Sequence, residues 1–253
     1  MLRTGPRRAL LYKRPAAVVS SWTPLLASTA AYWWMDADNS GSITSSGLGT
    51  ECTQWNDLGT GAHNMTPPTT GPTYTANVQN GKPGMDFSGG AGVRTGFFSI
   101  AQPFMLVIVW KQTGSAPGAY GILWDGNRAA VGNRPIVFNQ HFDNSNHYGI
   151  YAGTFVSQGS TTSTSTAYHS RAIFDDNDSS TTRNGSAVTG DAGPDFVDGD
   201  GISMGGVGGA STYPNAYICE AFLIQYANHA AVLANAGTDA TNAAAYTLAK
   251  WGV

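Results

Sequence analysis

Residues 217–253, YICEAFLIQYANHAAVLANAGTDATNAAAYTLAKWGV, decide the fold of this chain. The first ten of them are apolar, β-branched and aromatic, which predicts one strand through a core. The alanine-rich remainder predicts a short helix at residues 230–236 that Gly237 closes, because glycine accepts the left-handed conformation common at helix ends. A second helix is predicted at about residues 239–250. The chain therefore ends by laying a small helix against a completed sheet.

The rest of the chain has the composition of an all-β domain. Charged residues make up only 11% of its 253 residues, and 32 residues are glycine. A composition rich in Gly, Ser, Thr and Asn and poor in Lys and Glu is typical of strands joined by tight turns. Residues 104–110, FMLVIVW, show no polar alternation, so we expect a central strand with both faces covered. No apolar run reaches the roughly 20 residues that span a bilayer, so no membrane insertion is expected.

Five segments in chain order resemble one known family. They are WWMDA at 33–37, WNDLGTGAHN at 55–64, NGKPGMDFSG at 80–89, RNGS at 183–186 and the ending YTLAKWGV at 246–253. Together they resemble the concanavalin A-like (laminin-G-like) jelly-roll domains found in bacteriophage structural proteins and bacterial surface proteins. The resemblance implies a two-sheet antiparallel jelly-roll sandwich over residues 22–253. It argues for fold more than for function, because this sandwich hosts many tasks.

Residues 1–21 form a separate basic segment. Their basic residues are Arg3, Arg7, Arg8, Lys13 and Arg14, and no acid precedes Asp36. Without these five, 8 basic residues (13 − 5) face 16 acidic ones, so the body carries about −8. The segment is a poor signal peptide, because Arg and Lys interrupt its apolar part. We therefore expect an extended arm that anchors the domain to a partner.

The carboxylates give no recognisable catalytic motif. Glycoside hydrolysis needs two carboxyl groups at a fixed separation, and in the glucanase branch of the family two Glu stand four residues apart on one strand. This chain has only Glu51 and Glu220, which cannot form that motif. The sequence therefore predicts a protein that is not an enzyme.

The turn at residues 36–44, DADNSGSIT, is a candidate metal site. Asp36, Asp38 and Ser40 look like the first half of a calcium loop, although Gly47 occupies the position where a bidentate Glu should stand. The alternative is an Asx-rich turn whose side chains bond to their own backbone. Apart from this possible calcium ion, no cofactor is expected. Cys52 and Cys219 could meet in a sandwich, but free buried thiols are the favoured interpretation.

Aromatic residues beside Asn and Asp are candidates for sugar binding, because a ring can stack on a sugar face. The candidate carbohydrate-binding residues are Trp124, Asp125, Asn127, Asn144, Tyr148 and Tyr151.

These observations favour a non-enzymatic bacteriophage virion protein, a capsid decoration, cement or fibre subunit. Its expected partners are the major capsid or tail proteins, further copies of itself and host surface glycans, without nucleic acid. The expected location is the virion, assembled in the host cytoplasm. The alternative is a secreted bacterial carbohydrate-binding or adhesion module.

Overall fold

The computed structural model describes residues 21–114, 121–126, 134–140, 148–158, 163, 165–197, 199, 201–205 and 214–253. The cations of the predicted anchoring arm, Arg3, Arg7, Arg8, Lys13 and Arg14, lie outside the described residues.

The described chain consists of sixteen strands and one C-terminal α-helix, α1, His229–Trp251. The strands are β1 Trp33–Asp36, β2 Ile43–Ser45, β3 Cys52–Trp55, β4 Thr73–Gln79, β5 Lys82–Asp86, β6 Val93–Arg94, β7 Phe104–Gln112, β8 Gly121–Asp125, β9 Ile136–Gln140, β10 Tyr148–Tyr151, β11 Phe155–Gln158, β12 Ala167–Phe174, β13 Ser179–Arg183, β14 Ser186–Gly190, β15 Ser203–Met204 and β16 Ala216–Gln225. Short 3₁₀ turns occupy Pro24–Leu26, Ser40–Ser42, Ser88–Gly90 and Asp176–Asp178.

The strands form two stacked antiparallel sheets and a small hairpin. The eight-stranded sheet has the order β14-β13-β12-β7-β16-β5-β4, with β1 also paired to β16. The six-stranded sheet has the order β11-β10-β9-β8-β15-β6, and β2 pairs with β3. Packed β-sheets with one helix at the end of the chain confirm the predicted all-β sandwich.

Strand β7 is central, as its uniform hydrophobicity predicted. It pairs with β12 on one side and β16 on the other. Leu106 and Ile108 face the core between the two sheets. Met105 and Val107 alternate with them and join the cluster beneath α1. The eight-stranded sheet is therefore covered on both faces, by the second sheet and by the helix.

Two of the family-like segments form the expected tight hairpins. Asn80 and Gly81 join β4 to β5, and Asn184 and Gly185 join β13 to β14. All four have positive φ angles, from 46° at Asn184 to 88° at Gly185. Positive φ at both central residues is the requirement of a type I′ turn, which Asn-Gly satisfies well.

The C-terminal helix corrects the prediction of two short helices. α1 runs unbroken for 23 residues, from its cap at Asn228 to the left-handed Gly252. Gly237 lies inside it, because a continuous buried face holds both halves on the sheet; the buried residues are Val232, Ala236, Asp239, Ala240, Ala243, Tyr246, Thr247 and Trp251. Packing of this face outweighs the roughly 1 kcal/mol helix penalty of one glycine. No helix in the described part of the chain combines the length and hydrophobicity needed to cross a bilayer.

Cys52 and Cys219 are both free and buried, which confirms the interpretation as small apolar residues. Burial raises the pKa of the Cys52 thiol to about 11 and raises that of Cys219 as well. Neither thiol is therefore activated as a nucleophile.

The turn at 36–44 forms the Asx turn rather than a half calcium loop. Oδ1 of Asp36 accepts the backbone N–H of Asp38 at 3.0 Å. The other carboxylate oxygens face separate lysines: Asp36 lies 2.6 Å from Lys250, and Asp38 lies 2.6 Å from Lys82. Ser40 is exposed at the start of a 3₁₀ turn. Within the described ranges, no group of three or more His, Cys, Asp and Glu side chains is placed to hold a metal ion.

Candidate functional site

The outer face of the six-stranded sheet, which points away from the eight-stranded sheet, carries the candidate site. Side chains alternate along each strand. One set belongs to the core between the sheets, including Val137, Ile150 and Val156. The residues that alternate with this set, among them Tyr151 and Phe155, are not part of that core and lie on the outer face.

Strand register aligns six residues in one line across this face. The pairs are Phe155 with Tyr151, Tyr151 with Ile136, Ile136 with Asp125, Asp125 with Ser203, and Ser203 with Arg94. We call this line the outer row. Neighbouring strands lie about 4.8 Å apart, so its five intervals extend over about 24 Å. One end of the outer row is aromatic and the other end is charged.

Two rings form a pair at the aromatic end. The ring centroids of Tyr151 and Phe155 are 4.7 Å apart, and the planes are inclined by 46°. Phe155 is 43% exposed. Phe138 supports Phe155 edge-on at 5.8 Å, and its ring lies over Gly149 so closely that an added Cβ there would come within 2.7 Å of Cζ. The absence of a side chain at Gly149 thus makes room for the aromatic cluster.

A buried ion pair lies at the middle of the outer row, two strand spacings or about 10 Å from Tyr151. Asp125 has no exposed surface, and Nε of Arg134 lies 2.8 Å from its Oδ1 and 3.0 Å from its Oδ2. The side chain of Arg134 keeps 18% of its surface exposed. The guanidinium of Arg134 therefore lies at the middle of the outer row, and the carboxylate of Asp125 balances its charge.

A second carboxylate, that of Asp195, comes from a loop distant in sequence and lies at the β10–β11 turn, beside the aromatic end of the outer row. Asp195 is 93% buried, since its exposed fraction is 7%. Its backbone N–H bonds to the carbonyl of Ala152 at 3.0 Å, and its Oδ2 faces Gly153 in the β10–β11 turn. Burial raises the pKa of Asp195, although a hydrogen bond from the backbone of Arg134 offsets part of the shift. Oδ2 has no hydrogen-bond partner among the described residues.

The sequence-predicted sugar residues divide into three groups. Asp125 and Tyr151 both lie on the outer row, two strand spacings apart. Trp124 and Tyr148 have no exposed surface and belong to the core between the sheets, so neither offers a ring face to a ligand. The remaining two candidates lie outside the described residues, and they are Asn127 and Asn144.

Sequence reasoning missed Phe155, Arg134 and Asp195. A signal existed for Phe155, because it follows Tyr151 after a three-residue turn and hairpin partners share a face. Arg134 meets Asp125 only through a pairing with register shifts between β8 and β9. Asp195 arrives through tertiary contacts of its loop, which no local pattern encodes.

Glu51 and Glu220 take no part in this face. Glu220 has no exposed surface and bonds to Tyr246 and Trp251 of α1. Glu51 accepts a hydrogen bond from the backbone N–H of Gly71.

No protein-family model matches the chain, and no curated protein matches its sequence. Solved structures do share its fold. Domain 4 of AbnA, a GH43 extracellular arabinanase from Geobacillus stearothermophilus in complex with arabinotriose, matches with a TM-score of 0.59 and 13% identity, over 77% of this chain and 92% of that domain. An arabinofuranosidase complexed with arabinofuranosyl-alpha-1,2-xylobiose matches with a TM-score of 0.50 and 13% sequence identity, over 85% of this chain and 59% of that chain.

A Trypanosoma rangeli sialidase in complex with 2,3-difluorosialic acid matches with a TM-score of 0.51 and 14% identity, over 86% of this chain. This chain spans only 32% of the length of that sialidase. At such identities the likeness shows a common β-sandwich fold. The prediction that the protein is not an enzyme is wrong as argued: chains that share the fold belong to a sialidase, an arabinanase and an arabinofuranosidase, so a missing Glu pair does not exclude glycosidic chemistry.

Proposed function

We propose that this protein is a carbohydrate-binding β-sandwich that holds a glycan on the outer row. The observation that carries the proposal is the ring pair Tyr151–Phe155, because 43% of Phe155 is exposed on a sheet face instead of being buried in the core. Exposed rings of this kind offer a flat apolar surface to the C–H face of a sugar. Binding sites typically combine such rings with a few fixed polar groups.

A polar group at the middle of the outer row fits the hydroxyl groups of a sugar. The partly exposed Arg134 supplies N–H donors, while its partner Asp125 is fully buried and is not open to a ligand. Each holds the other in place through the 2.8 Å contact, so binding would not require the arginine to be ordered first. Two of the solved neighbours support the proposal, since they were determined in complex with arabinotriose and arabinofuranosyl-alpha-1,2-xylobiose.

The test is calorimetry of the full chain with arabinan, xylan and bacterial surface polysaccharides. Tyr151→Ala and Phe155→Ala should each weaken binding about tenfold or more, since loss of a stacked ring costs on the order of 1–3 kcal/mol by analogy with bases on aromatic platforms. Phe97→Ala is the matched control, because Phe97 is 69% exposed in the loop after β6 and is not in the outer row. Equal effects of all three substitutions would contradict this site.

Hydrolysis of the bound glycan is a second candidate, favoured by the raised pKa of Asp195 close to Arg134, the partner of Asp125. Glycosidases use one carboxyl group that keeps its proton and one that is ionised. Release of reducing ends by the wild type, and its loss in Asp195→Asn, would support this activity.

Display on a phage particle, with capsid or tail partners and a location in the virion, stays a prediction. Host glycans would then be the ligand of the outer row. A stoichiometric band of this chain in purified particles, lost on deletion of residues 1–21, would support that role.

A further inference from the structure

One cation of the described chain has no partner there. Arg94 in β6 is partly exposed, and among the described residues its side chain makes no ion pair and no hydrogen bond. Every other described Lys and Arg contacts a carboxylate, a polar oxygen or an aromatic ring; these are Lys82, Lys111, Arg134, Arg171, Arg183 and Lys250. The described part of the chain therefore leaves one guanidinium uncompensated.

Arg94 is not at an arbitrary surface position. It is the last member of the outer row, and the strand order β10-β9-β8-β15-β6 separates it from Tyr151 by four strand spacings. At about 4.8 Å for each spacing, the aromatic pair and the guanidinium are about 19 Å apart on one face. A single sugar cannot reach both. Between them, Asp125 and Ser203 are only 0% and 2% exposed, so a glycan of several sugars would reach both ends by passing over the side chains that cover these two residues, Arg134 among them.

The acids that the structure describes on this face do not neutralise Arg94. Asp125 is two strand spacings away, about 10 Å, and is already paired with Arg134. A separation of this size is comparable to the Debye length at physiological salt, so any remaining attraction is screened. Asp195 lies at the β10–β11 turn, close to the rings and away from β6.

We propose that the outer row binds a linear acidic glycan, whose rings stack on Tyr151 and Phe155 while Arg94 holds a carboxylate or sulfate several sugars along. This inference rests on the proposed function and specifies its ligand class. A guanidinium suits such a group, because its planar N–H donors can bond to two anionic oxygens at once. The body of the protein is acidic, so recognition depends on this one local cation and not on a general positive field.

The experiment is calorimetry of the full chain with oligogalacturonides of two to six sugars and with their methyl esters, which have the same length and backbone but no charge. Sulfated galactan oligosaccharides and their desulfated forms make the second arm, which distinguishes sulfate from carboxylate. We expect the acid or the sulfated form to bind about tenfold more tightly than its neutral match. Affinity should rise with the length of the oligosaccharide until it spans the outer row. Added salt should reduce the preference for the charged form over the neutral form.

Variants separate this inference from the proposed function. Arg94→Gln should remove the preference for charged glycans while neutral binding persists, and Arg94→Lys should restore only part of it, because a lysine lacks the planar fork. Tyr151→Ala should weaken charged and neutral glycans alike.

Four results would overturn the inference. Equal binding of acidic and neutral forms by the wild type would refute the acidic ligand while leaving glycan binding intact. A disaccharide that binds as tightly as a hexasaccharide would refute the span. A single-stranded oligonucleotide that binds as tightly as the acidic glycan, and loses its affinity in Arg94→Gln, would show attraction by charge alone. Binding of no glycan would refute the proposed function and this inference together.

Discussion

The indole N–H of Trp251 donates a 2.6 Å hydrogen bond to Oε2 of Glu220, and neither side chain has exposed surface. Tyr246 donates to the other carboxylate oxygen at 2.8 Å. Nζ of Lys250 lies 3.2 Å from Glu220 and 2.6 Å from Asp36. Burial, and then the charge of Asp36, raise the pKa of Glu220. This cluster fastens the end of α1 to β16 and β1, so Glu220 has a structural role beneath the helix.

Glu220→Ala should lower the free energy of unfolding by about 3–5 kcal/mol, because loss of one partner leaves buried charges and N–H groups unpaired. Asp38→Ala breaks a partly exposed ion pair, Lys82–Asp38, whose 2.6 Å separation equals that of Lys250 and Asp36 in the buried cluster. It should cost less than about 1 kcal/mol, since water solvates both groups. Urea denaturation of the two variants measures the difference, and similar losses would contradict a special role of the buried cluster.

Local sequence signals were enough for the framework of the fold. The uninterrupted apolar residues of β7 and β16 predicted central strands, and Asn184-Gly185 predicted a hairpin, because each depends on neighbours in the chain. The break at Gly237 was wrong, since tertiary packing of one helix face outweighs a local preference.

The candidate site was only partly predictable for a similar reason. Trp124 and Asp125 are adjacent in β8, so their side chains point to opposite faces, and the register of the strand, which shifts between Ile122 and Trp124, decides that Trp124 enters the core and Asp125 the outer face. A one-residue change of register reverses every side chain of a strand, and composition does not encode it. Arg134 and Asp195 join the site through such long-range pairings.

Stability should depend on the protonation of His169. This side chain is buried and its Nδ1 lies 2.8 Å from the hydroxyl of Thr247. Burial, with the charge of Arg171, lowers the pKa of His169 from 6.5 to about 4. Between these values the unfolded chain binds a proton that the folded chain does not, so stability falls as pH falls from 6.5 to 4.

The loss should be on the order of 3 kcal/mol across that window. Denaturant titrations of the wild type and His169→Gln at several pH values isolate it, because the contributions of other groups cancel in the difference. The free energy of unfolding of the wild type should exceed that of His169→Gln by less as the pH falls. A difference that stays constant with pH would refute the depressed pKa.

Gly149→Ala tests the packing beneath the rings. An added Cβ would come within 2.7 Å of both Cζ of Phe138 and the carbonyl oxygen of Val156. Overpacking of this kind costs about 1–3 kcal/mol, and a displaced Phe138 would disturb the support of Phe155. We expect lower thermal stability together with weaker glycan binding. Gly96→Ala is the control, because an added Cβ there meets no atom within 4 Å, and stability should change little.

Two glycines of one helix should respond in opposite directions to the same substitution. Gly237 lies in the interior of α1, and an added Cβ there meets nothing within 4 Å. Gly237→Ala should raise the free energy of unfolding by about 0.5–1 kcal/mol, since alanine loses less backbone entropy on folding. Gly252 ends α1 with φ of 74°. Gly252→Ala should therefore destabilise by about 1 kcal/mol, because a side chain disfavours the left-handed region. Chemical denaturation of both variants decides the point: destabilisation by both would mean that α1 is strained at Gly237 and does not run straight through it.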